Sequence, residues 1–429
     1  MPGAQLAVHH GGRTTAAEVG ELEHGTGQAV DRHAAFAIGS ITKSFTATVA
    51  VILAADEEVE LDAPLGEYLP ELGDRSGQVS ARLTLRQLLS HTSGLPEGPE
   101  SMDIGASSIR RYVLDHCRGS SVLFLPGTCF SYSNAGYVLV GHLIEVITGM
   151  TWWEATASIL LRPLGVEPAF LATPDPGPLP RAMATGHSVN PSLDRIRPVE
   201  QSLALAEMPC GGLAASAVDL VALGLAHAEG RPGVLPSEYA AQMRRSVPNA
   251  EPFGLADGWG LGLAVFHDGG DGDLVGVGHD GNADGTACYL RVEPGGGSVV
   301  ALTSNANTGL TMWRELVGEL RRLGVPLMDY SPAGALRRPA AAPPGCAGSY
   351  LNGDSEYSVT EENGDVCLAV DGDLVARLAF YEGLVFSQRD PTSGAQTHAG
   401  RFLRDPASGE IDRIQVGGRL ARRRSDRDP

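Results

Sequence analysis

Lysine is nearly absent from this chain: of 32 lysines and arginines in 429 residues, 31 are arginine and one is Lys43. A surface written in arginine offers charge and forked hydrogen bonding, but no amine that can be made neutral to accept a proton. Positive charge is outweighed overall, at a net −19. That balance excludes nucleic acid and an anionic membrane as expected partners, because both reward clustered cations. The one basic cluster, Arg419 to Arg424, reads as a solvated tail. Cysteines are few and scattered, at positions 117, 129, 210, 288, 346 and 367, with no Cys-x-x-Cys pair. A disulfide or zinc framework is therefore not expected, and they read as small buried hydrophobes. His9-His10 and the other histidines lack ligand spacing, so neither metal nor cofactor is expected. Long apolar runs are missing too: the longest, Phe45 to Ala55, carries threonines and falls far short of a bilayer span. The opening residues, Met-Pro-Gly-Ala-Gln-Leu-Ala-Val, show no basic stretch followed by an apolar run. No export signal is expected, and the protein is expected to be cytoplasmic.

What is present points to a loop-rich globular enzyme. A mass of 44.8 kDa exceeds one ordinary core and predicts two or three domains. Gln5 to Val8 and Thr14 to Val19 read as strands joined by a Gly-Gly turn. Ser40 to Ala55, Leu83 to Leu89, Ala135 to Thr148, Ser216 to Ala226 and Met312 to Leu323 read as helices. Gly258 to Phe266, Gly285 to Val292 and Ser298 to Ser304 read as antiparallel strands. Strands at both ends of a helical middle imply an α/β domain, one sheet built from the two ends with helices packed on it and a lateral helical subdomain. Residues 334–345, rich in Ala, Pro and Arg, read as a linker. Beyond them, six short alternating segments from Ser355 to Val416 predict a small β-meander or barrel over 346–429. The expected division is thus 1–333, a linker, and 346–429.

Three constellations carry chemistry. Ser40-Ile-Thr-Lys43 opens an apolar helix and sets a hydroxyl and the only lysine amine on one face, one turn apart. That pair is a nucleophile with its general base. Burial and the positive end of a helix both favour a neutral amine, as base chemistry requires. Tyr132-Ser133-Asn134 places a phenol at the mouth of the next long helix, where it can relay protons. Its asparagine amide can hold the lysine or a substrate carbonyl. His279-Asp280-Gly281-Asn282 puts a histidine at a strand edge, able to supply a proton or bind a carboxylate. Taken singly, the triplet also reads as a helix cap with a core tyrosine, and the histidine as structural.

Together, these motifs and their order resemble the serine β-lactamase-like superfamily of class C β-lactamases, penicillin-binding proteins and related esterases and transacylases. Leu83-Thr-Leu-Arg-Gln-Leu-Leu-Ser-His-Thr-Ser-Gly-Leu-Pro96, Pro126-Gly127, Cys210-Gly-Gly-Leu-Ala-Ala-Ser216 and Gly258-Trp-Gly-Leu-Gly262 agree with it. The resemblance covers residues 5 to 325. It implies a β-lactamase/transpeptidase-like fold and an acyl-enzyme on Ser40, with Lys43 as base, Tyr132 as relay and Asn134 as orienting amide. His279 stands where β-lactamases carry a lysine, a departure shared by esterase-type members, and Gly281 and Asn282 complete the substrate strand. The implied oxyanion hole is the backbone N–H of Ser40 and of Asn282. Some members with a lipocalin-like C-terminal domain release and cyclise non-ribosomal peptides, others make amides from esters. In the cyclases an arginine on the barrel faces the site. Arg419, after Gly417-Gly418, is the candidate, although its neighbours read equally as an ordinary tail. The expected activity is acyl transfer from a small ester, thioester or peptide to water or an amine. The alternatives are a plain β-lactamase or D-amino-acid peptidase, and a catalytically silent acyl-peptide binding module. A pure binder has no need of a unique amine base.

Overall fold

In the computed structural model of this chain, the described residues are 1–73, 79–99, 107–118, 122–172, 181–190, 193–267, 275–295, 297–362, 364–391 and 396–425. The Gly-Gly turn folds Gly3–His10 (β1) back onto Arg13–Gly20 (β2), in register from Gly3↔Gly20 to His10↔Arg13. The free edge of β1 is taken by Ser298–Ser304 (β11), from the far end of the catalytic region. Gly258–Trp259 (β7), Ala264–His267 (β8), Val275–Ala283 (β9) and Thr286–Glu293 (β10) complete an antiparallel sheet of order β2-β1-β11-β10-β9-β8-β7. The run expected as a single strand from Gly258 to Phe266 is split into β7 and β8, with a turn at Gly262, whose φ is 78°. Only glycine holds such a φ without strain.

β10 and β11 are buried along their whole length, so both faces of the sheet are covered. One face carries the helix Ala217–Glu229, capped by a Ser216–Asp219 capping box, and the apolar helix Thr42–Ala55 (α1). The other carries the amphipathic helix Gly309–Arg322, whose Trp313, Val317 and Leu320 pack on Tyr289, Val300 and Leu302. Burying each large apolar side chain of α1 contributes about 1.5–3 kcal/mol, enough to carry a buried lysine in its first turn. The helices Leu85–Leu89 (α2) and Asn134–Thr148 lie in the lateral helical subdomain. Two short pairs, Phe36–Ala37 (β3) with Ala214–Ala215 (β6) and Gly186–Asn190 (β4) with Arg195–Val199 (β5), form two-stranded sheets apart from the main one.

The second body is a closed barrel of eight strands rather than the six foreseen. They are Gly348–Asn352 (β12), Ser355–Glu362 (β13), Asp365–Val370 (β14), Asp373–Tyr381 (β15), Val385–Arg389 (β16), Gln396–Arg404 (β17), Ile411–Val416 (β18) and Arg419–Arg423 (β19). The expectation of a solvated basic tail is overturned here. β19 pairs with β18 on one side and β12 on the other, so the arginine-rich segment is the strand that closes the barrel. An open edge between β12 and β18 would leave ladder groups unpaired, and Ala421, 1% exposed, anchors the closing strand in the barrel core. The stretch read as a linker is itself tied down: Ala340 N–H donates to Phe380 O, and Glu382 N–H to Arg338 O.

Candidate active site

Ser40 sits in a single 3-10 turn, Gly39–Ile41, that runs into α1. Gly39 has φ 49°, and a side chain there would collide with the backbone of Asn282. The nucleophile turn and the end of β9 thus touch main chain to main chain. Lys43, 1% exposed, sets its Nζ 3.1 Å from Ser40 Oγ and 2.8 Å from the carbonyl oxygen of Cys210. Both partners are uncharged oxygens. The second is a backbone carbonyl and not the Asn134 amide foreseen as one option.

Tyr132 is 5% exposed and stands at the mouth of the Asn134–Thr148 helix, which Ser133 caps by accepting from Gly136 N–H. Its ring stacks on His91 at 4.3 Å and meets Trp259 and His279 edge-on at 5.8 and 6.3 Å. Lys43 Nζ lies 5.0 Å from the ring centroid and the Arg419 guanidinium 5.2 Å from it. The buried ring thus lies between the Lys43 amine and the Arg419 guanidinium. Ser133 N–H donates to His91 Nδ1 at 3.1 Å, which leaves the His91 proton on Nε2. Burial, and after it the charge of Lys43, holds His91 well below the ordinary histidine range, so it is a neutral support.

His279 lies just beyond the last β8 partner, since Ala264 pairs with Gly278. From His279 onward, β9 has an edge that β8 does not cover, and this edge faces Ser40. His279 Nδ1 is 2.6 Å from the carbonyl oxygen of Asp280, so it donates there and Nε2 keeps its lone pair. Burial first, then Lys43, pushes the His279 pKa down to about 3. The Asp280 carboxylate is held by Arg291 at 2.6 Å, and Arg291 in turn by Asp329 at 2.6 Å. Arg291 is 3% exposed and lies 4.3 Å from the ring centroid of Phe266.

The barrel reaches into this site. Tyr132 N–H donates to Gly418 O at 3.0 Å, and Leu420 N–H to Ser131 Oγ at 3.1 Å. Buried Asn352 donates to Leu420 O and accepts from Glu97 N–H at 2.9 Å. Arg419 pairs with Glu97 at 2.5 Å. Two chambers meet at Ser40, Asn134 and Asn282. The first, about 300 Å³, is walled by Tyr132, Trp259, Phe266, His279 and Arg419. The second, about 310 Å³, has Lys43, Leu171, Leu203, Glu207 and Asp284 on its walls. Ser40, Lys43, Tyr132, Asn134, His279 and Asn282 are thus brought together, with buried Gly281 inside the strand between them.

The β-lactamase family profile matches residues 1–319. The chain belongs to the β-lactamase family. A penicillin-binding protein 4 from Amycolatopsis lactamdurans is 34% identical over 348 residues, 78% of this chain and 89% of the relative. The crystal structure of SurE is 38% identical with a TM-score of 0.84 over 98% of this chain and 95% of that one, and the structure of SurE with D-Leu superposes with a TM-score of 0.82. A D-stereospecific amidohydrolase from Streptomyces sp. is 25% identical, with a TM-score of 0.57 over 71% of this chain and 90% of that one. This β-lactamase-family chain is a serine hydrolase- or acyltransferase-type enzyme. Glu97, Asn352 and the stacking of His91 under Tyr132 escaped sequence reading. Glu97 and Asn352 carry no motif, whereas Arg419, the barrel candidate implied by the resemblance, does line the first chamber.

Proposed function

We propose that the enzyme forms an acyl ester on Ser40 and passes the acyl group to an amine, making an amide and, from a peptide donor carrying its own amine, a ring. Lys43 takes the Ser40 proton, Tyr132 relays it to the leaving group, and Asn134 orients the acyl carbonyl. The N–H groups of Ser40 and Asn282 bind the oxyanion. Residues 1–333 form the catalytic unit, and 346–429 the barrel unit that completes its site. The observation that carries the reading is the meeting of two chambers at one serine, one of them walled by an arginine from the barrel. A hydrolase needs a single chamber and a water, whereas transfer needs room for donor and acceptor at once. The likeness to SurE across nearly the whole chain, barrel included, supports the same reading. The six unpaired cysteines fit a reducing, cytoplasmic setting.

The test is intact-protein mass after mixing wild type and Ser40→Ala with an activated aryl ester, with and without an added amine. A mass gain on wild type alone, discharged faster by amine, is the expected result. Equal discharge without amine makes the enzyme a hydrolase. No adduct with esters, thioesters or β-lactams makes it a binding module.

A further inference from the structure

Among the described residues, the buried Tyr132 hydroxyl has no protein hydrogen-bond partner. Nothing on the oxygen itself fixes where it points, so the tyrosine is held through its ring and its backbone. Both sets of contacts lead to His91, which walls neither chamber. The His91 carbonyl oxygen accepts from Ser131 N–H at 3.0 Å, and its Nδ1 accepts from Ser133 N–H at 3.1 Å. The residues before and after Tyr132 therefore hang from one histidine, while the N–H between them, that of Tyr132, goes to Gly418 of the barrel. Within this bracket the imidazole lies on the phenol ring, with centroids 4.3 Å apart and planes 28° from parallel. Trp259 and His279 meet the same ring at 83° and 63° and from farther away, so among the described residues only His91 stacks on a face of it.

The bracket is part of a longer pairing. The segment after α2 runs beside the chain that leads into the Asn134–Thr148 helix. Leu123 N–H donates to Gly94 O at 2.8 Å, Gly127 N–H to Thr92 O at 2.7 Å and Ala135 N–H to Glu97 O at 2.9 Å. His91 holds its place in it at two local costs. Its φ of 56° is in the left-handed region, which histidine enters more readily than most residues but still against its β-carbon. With Nδ1 accepting, its proton is on Nε2, and that buried N–H has no hydrogen-bond partner among the rings of Phe130, Tyr137 and Trp259, 5.1 to 5.6 Å away. Such costs gather where the surrounding structure holds a functional group in place.

We propose that His91 is a positioning residue for the proton relay: its carbonyl and Nδ1 fix the backbone on either side of Tyr132, and its ring fixes the direction of the phenol. The proposal rests on the relay role given to Tyr132 above. His91 touches neither Ser40 nor the walls of the chambers, and acts through Tyr132 alone.

The experiment follows growth of the Ser40 adduct by intact mass with two butyrate esters. p-Nitrophenyl butyrate releases an anion that departs unaided, whereas the alkoxide of 2,2,2-trifluoroethyl butyrate departs with a proton. His91→Asn keeps an oxygen for Ser133 N–H and tolerates the φ of 56°, but removes the stacked ring. In it the trifluoroethyl ester is expected to react about 10- to 100-fold more slowly, and the p-nitrophenyl ester within about threefold of wild type. Adding His91→Asn to Tyr132→Phe, which keeps a ring without the hydroxyl, is expected to change the trifluoroethyl rate by less than about twofold. 3-(4-Thiazolyl)alanine in place of His91 keeps the ring and the acceptor at the δ1 position without the Nε2–H, and is expected to give the wild-type rate. If His91→Asn unfolds early in thermal denaturation, His91→Phe, which loses the acceptor, is read in the same way. Equal slowing of both esters, the same slowing in the Tyr132→Phe background, or no slowing at all overturns the proposal, and so does a loss with the thiazolyl replacement. An unchanged trifluoroethyl rate in Tyr132→Phe alone instead overturns the relay role of Tyr132, and absence of any adduct on wild type overturns the acyl-transfer reading.

Discussion

Tyr132 and Gly418 are joined main chain to main chain, the tyrosine N–H donating to the glycine carbonyl at 3.0 Å across the boundary between catalytic region and barrel. The relay candidate is therefore positioned by the barrel turn as much as by its own helix. Asn352, 1% exposed, locks this contact by binding Glu97, Ser131 and Leu420 at once.

Removing that lock is expected to be costly. Asn352→Ala strands the Glu97 N–H and the Leu420 carbonyl, which predicts about 2–4 kcal/mol of lost stability. Acyl-enzyme formation is expected to slow in a part of the population that still folds. Thermal denaturation gives the first quantity and single-turnover mass the second; an unchanged Tm and rate contradict the lock.

Lys43→Arg keeps charge and approximate size but removes the only side-chain amine of the chain. Acylation of Ser40 is expected to fall by about 10²–10⁴, the span of a lost general base. The check is the rate of adduct growth on the folded variant, and acylation within a few-fold of wild type rules Lys43 out as base.

Arg291 stands between two carboxylates, Asp280 and Asp329, at 2.6 Å from each. Arg291→Met leaves both unbalanced and predicts a loss of about 3–5 kcal/mol. Because Asp280 O receives the His279 Nδ1–H, the same variant is expected to lower kcat more than it raises KM for the acyl donor. Steady-state kinetics on the refolded variant separates the two, and a pure stability effect contradicts the link to His279.

Acid is expected to weaken the fold through its buried histidines. His227 is pushed from 6.5 to about 3 by burial and then by Arg244. In the unfolded chain it takes up a proton as pH falls through about 6.5, whereas in the fold it stays neutral until about 3. Its contribution is complete above the first value and is lost progressively toward the second, at up to about 1.4 kcal/mol per pH unit. Urea unfolding of wild type and His227→Gln from pH 7.5 to 4.5 measures it, and equal slopes contradict it.

Much of this was legible in the sequence because chemistry at the serine demands particular residue types at fixed spacing. Ser40 and Lys43 need one helical turn between them, and Tyr132 with Asn134 marks the mouth of a helix. The sheet was legible from alternation at both ends. What escaped was long-range closure. The run from Arg419 to Arg424 looks like a tail until β12 is seen to need a neighbour. The break after Trp259 depends on Gly262 turning against α1, where an added Cβ would meet Ala47. Glu97 and Asn352 matter through what they touch across the chain, and periodicity carries no trace of that.

The solitary, buried Lys43 has a spectroscopic and a chemical consequence. Uniform lysine labelling with ¹⁵N at the ζ position yields a single side-chain resonance, which reports the charge of the candidate base directly through the catalytic cycle. With arginine at every other basic position outside the histidines, the surface offers reactive acyl donors no side-chain amine to capture by accident, so an enzyme that handles electrophiles is spared from tagging itself.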